Sequence, residues 1–294
     1  MPDQDAILPA WTARAASGEA AAAFSAGGAL ALLDRVVRAE TPGRGVWLDR
    51  LALKSAAAAA LALGRNEDEA AIRDAVCLAE NHPGPAGRLL LLWRRLAGRG
   101  PALDRDAILA AFALVDLPAG RVAPLLDAAL AADSGATPVL AAAQVFAAAG
   151  PGSRAEIAVA GFWLADLVLA RRLNWPVCVP LLSVALPGRS WRAALEPGSA
   201  ARWFEAARAG AGIALPLAAD LDRRAANLLE AAPRLRAKKA PKIVERLLEQ
   251  DAIPASGAWT GMTERSLRRL FDRLVTLGAV RELTGRPSFR LYGL

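Results

Sequence analysis

The sequence predicts a mainly α chain: a large Ala-rich multi-helix domain, followed by a small winged helix-turn-helix with a C-terminal β-hairpin. Three observations carry this expectation. Apolar residues recur at helical spacing from about Ala15 to Ala232, with Gly and Pro at each junction. No stretch before the C-terminal region alternates in the manner of a strand. A basic amphipathic segment, Thr263 to Gly278, then leads into a hairpin-like stretch from Ala279 to Leu294.

Taken in order, Phe24, Leu30, Leu33 and Val37 are expected to form the stripe of a first helix. Trp47, Leu51, Lys54 and Ser55 open the next, which runs through Ala56 to Ala60 and stops at Gly64. Asn66 ahead of Glu67, Asp68 and Glu69 reads as an N-cap with acids in the first turn, where the helix dipole favours them. That helix ends near His82, Pro83, Gly84 and Pro85, and Pro85 starts another through Leu89 to Trp93, closed by Gly98. Further helices are expected over Asp104 to Val115, Pro118 to Ala132, Pro138 to Ala149, Ser153 to Leu173, Ser199 to Ala209 and Ala211 to Ala232. Small side chains throughout let such helices approach closely. Pro176 and Pro180 forbid a regular helix through Asn174 to Pro180, which is expected to be an extended connector packed on the core or, alternatively, a pocket wall. No fixed repeat period supports a solenoid.

With 54 % apolar and 22 % charged residues in 294, the chain is globular rather than disordered. Its net charge is +7, and the distribution of that charge is informative. From Pro233 onward thirteen Lys or Arg face six Asp or Glu, so the whole excess lies in the last fifth. Such segregation suggests that one end meets a polyanion while the rest meets water or protein. Cys77 and Cys178, far apart and in apolar stretches, read as reduced thiols of a cytosolic protein. The acidic N-terminal residues lack the order of a signal peptide, and the longest uncharged run, Ser134 to Ser153, is interrupted by Pro138 and Gly150. A cytoplasmic location without membrane partners is therefore expected.

Three parts are expected: an all-α domain over 1–232, a basic linker over 233–242 and a winged helix-turn-helix over 243–294. The linker holds Lys238, Lys239 and Lys242, and reads either as a solvated connector or as an arm lying along phosphates. Lys242 to Gln250 is a short amphipathic helix with Ile243, Val244, Leu247 and Leu248 inward. Gly261, Met262 and Thr263 then supply a left-handed turn, an apolar plug and an N-cap. At about 100° per residue, Leu267, Leu270, Phe271, Leu274 and Leu277 point one way. Arg265, Arg269, Asp272 and Thr276 centre the other face, flanked by Arg268 and Arg273, with Asp272 positioned to pair with Arg268. This face suits major-groove entry, where arginine binds guanine bidentately. Wing strands are expected over Val280 to Leu283 and Phe289 to Tyr292, with Arg286 at the tip and Arg281 and Arg290 on the sides, placed for phosphate or minor-groove contact.

Residues Thr263 to Leu294 resemble bacterial winged helix-turn-helix domains, notably those appended to Fic-type proteins. The shared elements are Leu277 and Gly278 leading into a strand, then Thr284, Gly285 and Arg286 at the turn. The resemblance implies DNA recognition through Arg265, Ser266 and Arg269. Where those domains carry a supporting helix, this chain has Pro254 to Thr260, a poor helix former. Over its length the chain is also similar to the domain-of-unknown-function fourteen-oh-three family of alphaproteobacteria, through Pro83 to Leu96 and the Arg290 to Leu294 ending. That likeness implies bacterial origin and no mechanism.

Chemical equipment is sparse. His82 lies in a turn, and Cys77 five residues earlier diverges from it by roughly 140° on a helix, so no metal site is expected. Neither a phosphate-binding loop, a nucleophile elbow nor the Fic catalytic motif occurs. No catalytic residue, metal or cofactor is expected. The expected partner is double-stranded DNA, with the helical domain serving dimerisation or protein or ligand contact. The competing expectation is a non-catalytic interaction protein in which Trp93, Trp163 and Trp203 present an anchor surface and the winged helix docks on the helical domain or a partner.

Overall fold

Fourteen buried residues in succession, Ile157 to Ala170, mark the helix around which the body of the protein packs. The computed structural model describes Pro9 and residues 18–77, 82–132, 137–150, 152–185, 188–196, 198–256, 260–284 and 289–294. Among them are α1 (Glu19–Arg38), α2 (Arg44–Ala62), α3 (Glu69–Cys77), α4 (Gly84–Leu96), α5 (Arg105–Ala113), α6 (Ala119–Ala131), α7 (Pro138–Ala147), α8 (Ala155–Arg172), α9 (Leu182–Ala185), α10 (Ala200–Ala231), α11 (Ala240–Glu249) and α12 (Glu264–Thr276). Short 3-10 turns span Gly188–Leu195 and Ala232–Arg234, and three strands, β1 (Ile253–Pro254), β2 (Arg281–Glu282) and β3 (Leu291–Gly293), complete the chain. The protein is mainly helical.

α8 is apolar almost all round, as suits a helix buried on every side; the exception among its buried residues, Asp166, has its oxygens accepting backbone N–H groups. α7 lies along it, and Phe146, Phe162 and Trp203 form an aromatic cluster with centroid separations of 4.4–6.0 Å. α1 packs along α10 through Ala22, Ala26, Ala29, Leu30, Leu33 and Val37. By length and composition α1 is also the one helix among the described residues that could cross a bilayer.

Several local expectations need correction. Phe24 is 70 % exposed, because the stripe of α1 runs through alanines instead. The N-cap of α3 is Asp68, which accepts from Ala71 N at 2.8 Å, two residues beyond Asn66. Residues 200–231 form one helix rather than two. Gly210 does not break it; a Cβ there would lie 2.7 Å from the Leu181 carbonyl oxygen, so the glycine lets the connector press against α10. That connector is non-helical and packed on the core as expected, but it opens on a turn at Asn174 (φ 51°) and bends at Pro176 and Val177, with Trp175, Cys178 and Val179 buried and Cys178 N bonded to the Arg99 carbonyl at 2.8 Å. Trp93, Trp163 and Trp203 are all at most 1 % exposed and so present no anchor surface. The indole N–H of Trp163 donates to Leu92 O, and that of Trp203 to Ala194 O.

The C-terminal strands form an antiparallel sheet ordered β1-β3-β2, with Ile253 opposite Tyr292 and Arg281 opposite Gly293. The two hairpin strands are shorter than expected, and Phe289 lies outside them, exposed, at φ 59°. Residues 257–259 and the wing tip with Gly285, Arg286 and Pro287 lie outside the described residues; Ile253 to Ser256, before the turn, are not helical.

Candidate nucleic-acid interface

α12 owes its shape to its sequence. Thr263 caps it, accepting from Ser266 N at 3.3 Å, while the Thr263 hydroxyl donates to Ser266 Oγ at 2.9 Å. Gly261 holds φ +62° in the turn before it, a conformation L side chains avoid. Leu267, Leu270, Phe271 and Leu274 are buried, and the Phe271 ring stacks on Tyr292 of β3 at 4.3 Å and 4°. The helix is thus seated on the sheet by its apolar side. Its opposite side is open.

On that side Arg265, Ser266, Arg268, Arg269 and Arg273 are all exposed. Arg268 pairs with Glu264 at 3.5 Å, and not with Asp272 as the spacing suggested; the acid one turn earlier takes it. Arg265, Arg269 and Arg273 have no carboxylate within ion-pair distance among the described residues. Ser266 is committed to the cap. Lys239 is also drawn in, donating to Gly261 O at 2.7 Å, so the basic stretch is tied to the turn that starts α12. Lys238 and Lys242 are exposed beside it, Lys242 already on α11, which begins at Ala240.

The arginines expected on a wing divide. Arg290 is exposed and pairs with Glu282 across the strands at 3.6 Å. Arg281, exposed on β2, has Arg224, Asp220 and Arg73 of the helical body among its charged neighbours; partial burial, together with Arg224 and Arg73, lowers its pKa from the ordinary arginine value. Arg286 lies outside the described residues.

The seam beside Arg281 was not anticipated. Asp251, 1 % exposed, lies just before β1 and accepts from Arg50 of α2 and, at 2.5 Å, from Arg73 of α3. Asp49 accepts from Nε and Nη2 of Arg94 at 2.6 and 2.8 Å and also from the Asp251 backbone N–H at 2.8 Å. Arg50 also reaches Leu294 O at 3.5 Å. Burial, reinforced by Arg73 and Arg281, brings the Arg50 pKa down to about 10. Removing two charges from water is costly unless both are paired and hydrogen-bonded, and here they are. The available signal was Asp49-Arg50 sitting inside an otherwise apolar run of α2.

Cys77 Sγ lies 3.8 Å from Ala252 O at this seam, and burial raises its pKa. Cys178 is pushed up to about 12 by burial as well, so both are held as thiols. His82 is exposed, and no group of three metal-ligating side chains occurs among the described residues.

These features define a helical protein with a small C-terminal three-stranded unit, clamped to the body by buried ion pairs and showing a basic helix face to solvent. The family model described as "Protein of unknown function (DUF1403)" matches residues 2–294, and the chain belongs to that family. No curated protein matches it.

Proposed function

We propose that this is a bacterial, cytoplasmic, non-catalytic DNA-binding protein with a regulatory role, and that α11, β1, α12, β2 and β3 act as a reduced winged helix. The sheet order β1-β3-β2, with a helix seated on it just before the hairpin, supports that reading. One observation carries it: Arg265, Arg269 and Arg273 stand exposed, without ion-pair partners among the described residues, on a helix whose other side is buried. Lys238 and Lys242 extend the positive surface. Such a surface neutralises phosphates, and arginines near a helix N-terminus can reach base edges. The α-domain then serves dimerisation or the sensing of a partner or ligand.

Fluorescence anisotropy on duplex fragments at a series of salt concentrations tests the proposal. Affinity should fall steeply with salt, with a log–log slope near −0.9 for each phosphate neutralised. A response flat in salt overturns it.

A second reading has one observation in its favour. The buried Asp251 pairs with Arg50 and Arg73, so the C-terminal unit docks on its own helical body, as an interaction protein would require. Its tryptophan anchor surface is gone, however, since those rings are buried.

A further inference from the structure

Between the body and the C-terminal unit, α2, α10 and α11 leave a cleft of about 760 Å³. Its walls include Pro42, Leu229, Val244 and Leu248, with Glu245 and Glu249 on the α11 side. Leu229 is 41 % exposed, unusual for a leucine on a long packed helix. Both glutamates are exposed, and neither has a cation within ion-pair distance among the described residues. That is the unexpected part. The α11 wall of the cleft belongs to the segment that carries the chain's whole positive excess, yet it displays two carboxylates beside an apolar floor. Its volume falls in the range of roughly 300–1,000 Å³ that holds drug-sized ligands.

We propose that this cleft binds a small lipophilic cation, an organic ammonium or phosphonium. The apolar body of the ligand covers Leu229 and Leu248, removing their exposed surface from water. Its positive charge is met by Glu245 and Glu249. The same pair of carboxylates repels phosphate, so the cleft and the α12 face select ligands of opposite sign. α11 forms one wall of the cleft and leads directly into β1, so an occupant touches the element that seats the basic helix. The site does not depend on DNA being the partner of that helix.

Isothermal titration of the full chain with tetraphenylphosphonium, and with triphenylphosphine oxide as a neutral analogue, tests the assignment without DNA. The cation should bind saturably at one site and about tenfold more tightly than the neutral analogue, the size expected from two solvent-exposed ion pairs. In the double variant Glu245→Gln with Glu249→Gln, checked by circular dichroism for an unchanged helical spectrum, that preference should vanish. Leu229→Ser should weaken both compounds alike. Equal affinity of the two compounds for the unaltered chain, a preference retained in the double variant, or no saturable binding of the cation would each overturn the proposal.

Discussion

Arg50 and Arg73 meet at the seam with side chains 10 % and 12 % exposed and one carboxylate between them, whereas Arg265, Arg269 and Arg273 stand in solvent with no carboxylate partner among the described residues. The same residue type serves two purposes, and its environment decides which. At the seam, desolvation makes both guanidiniums dependent on Asp251, whose backbone N–H is held in turn by Asp49, so charge there fixes the position of β1 and, through Tyr292 and Phe271, of α12. On the outer face no folding role holds the arginines in place, and their charge is available to a partner. A net charge of +7 therefore does not describe a uniform surface.

The sharpest way to break this contrast is Asp251→Ala. It strands two buried guanidiniums, and unfolding by urea should show a loss of about 3–5 kcal/mol, the usual cost of breaking a buried ion pair from one side. A loss below ~1 kcal/mol, the scale of a surface pair, would place the seam among ordinary exposed contacts.

Another buried acid, Asp166 of α8, gives the contrast a pH dependence. Both its oxygens accept backbone N–H groups, from Leu181 and Leu182, at 3.1 and 2.9 Å, yet full burial raises its pKa from 3.8 to about 7. The folded state then holds a proton that the unfolded chain has released, so this group makes stability fall as pH climbs from about 4 to about 7 and level off above. Urea midpoints across that range should decline for the unaltered chain relative to Asp166→Asn. Parallel profiles would mean the carboxyl is already ionised at the bottom of the range.

A smaller effect sharpens the link between helix and turn. Thr263→Ala removes the cap of α12 and should cost about 1 kcal/mol, read by the same denaturation. No change would mean that the Lys239 to Gly261 contact alone sets the start of the helix.

Much of the fold was legible because its signals are local. Helical spacing located the body helices, and the 100° periodicity of Leu267, Leu270, Phe271 and Leu274 separated the two sides of α12. What escaped depends on neighbours distant in the chain. Arg50 and Asp251 are 201 residues apart, and no periodicity pairs them. Gly210 looked like punctuation because its reason, the approach of Leu181, lies on another segment. Arg281 is exposed as its strand position predicts, but its charged neighbours Arg224 and Asp220 on α10 are far away in sequence and leave no local signal. Arg268 took Glu264 rather than Asp272, since helical spacing allows both and only the rotamer decides.

The central contrast is tested most directly by measuring duplex affinity against salt, together with urea stability, for the triple variant Arg265→Ala, Arg269→Ala, Arg273→Ala and for Arg281→Ala. The triple variant should keep its stability within about 0.5 kcal/mol, as surface changes do, while its log–log salt slope becomes shallower by up to about 2.7, at 0.9 per lost phosphate contact; Arg281→Ala should leave the slope unchanged. A triple variant whose slope matches the unaltered chain would contradict the account.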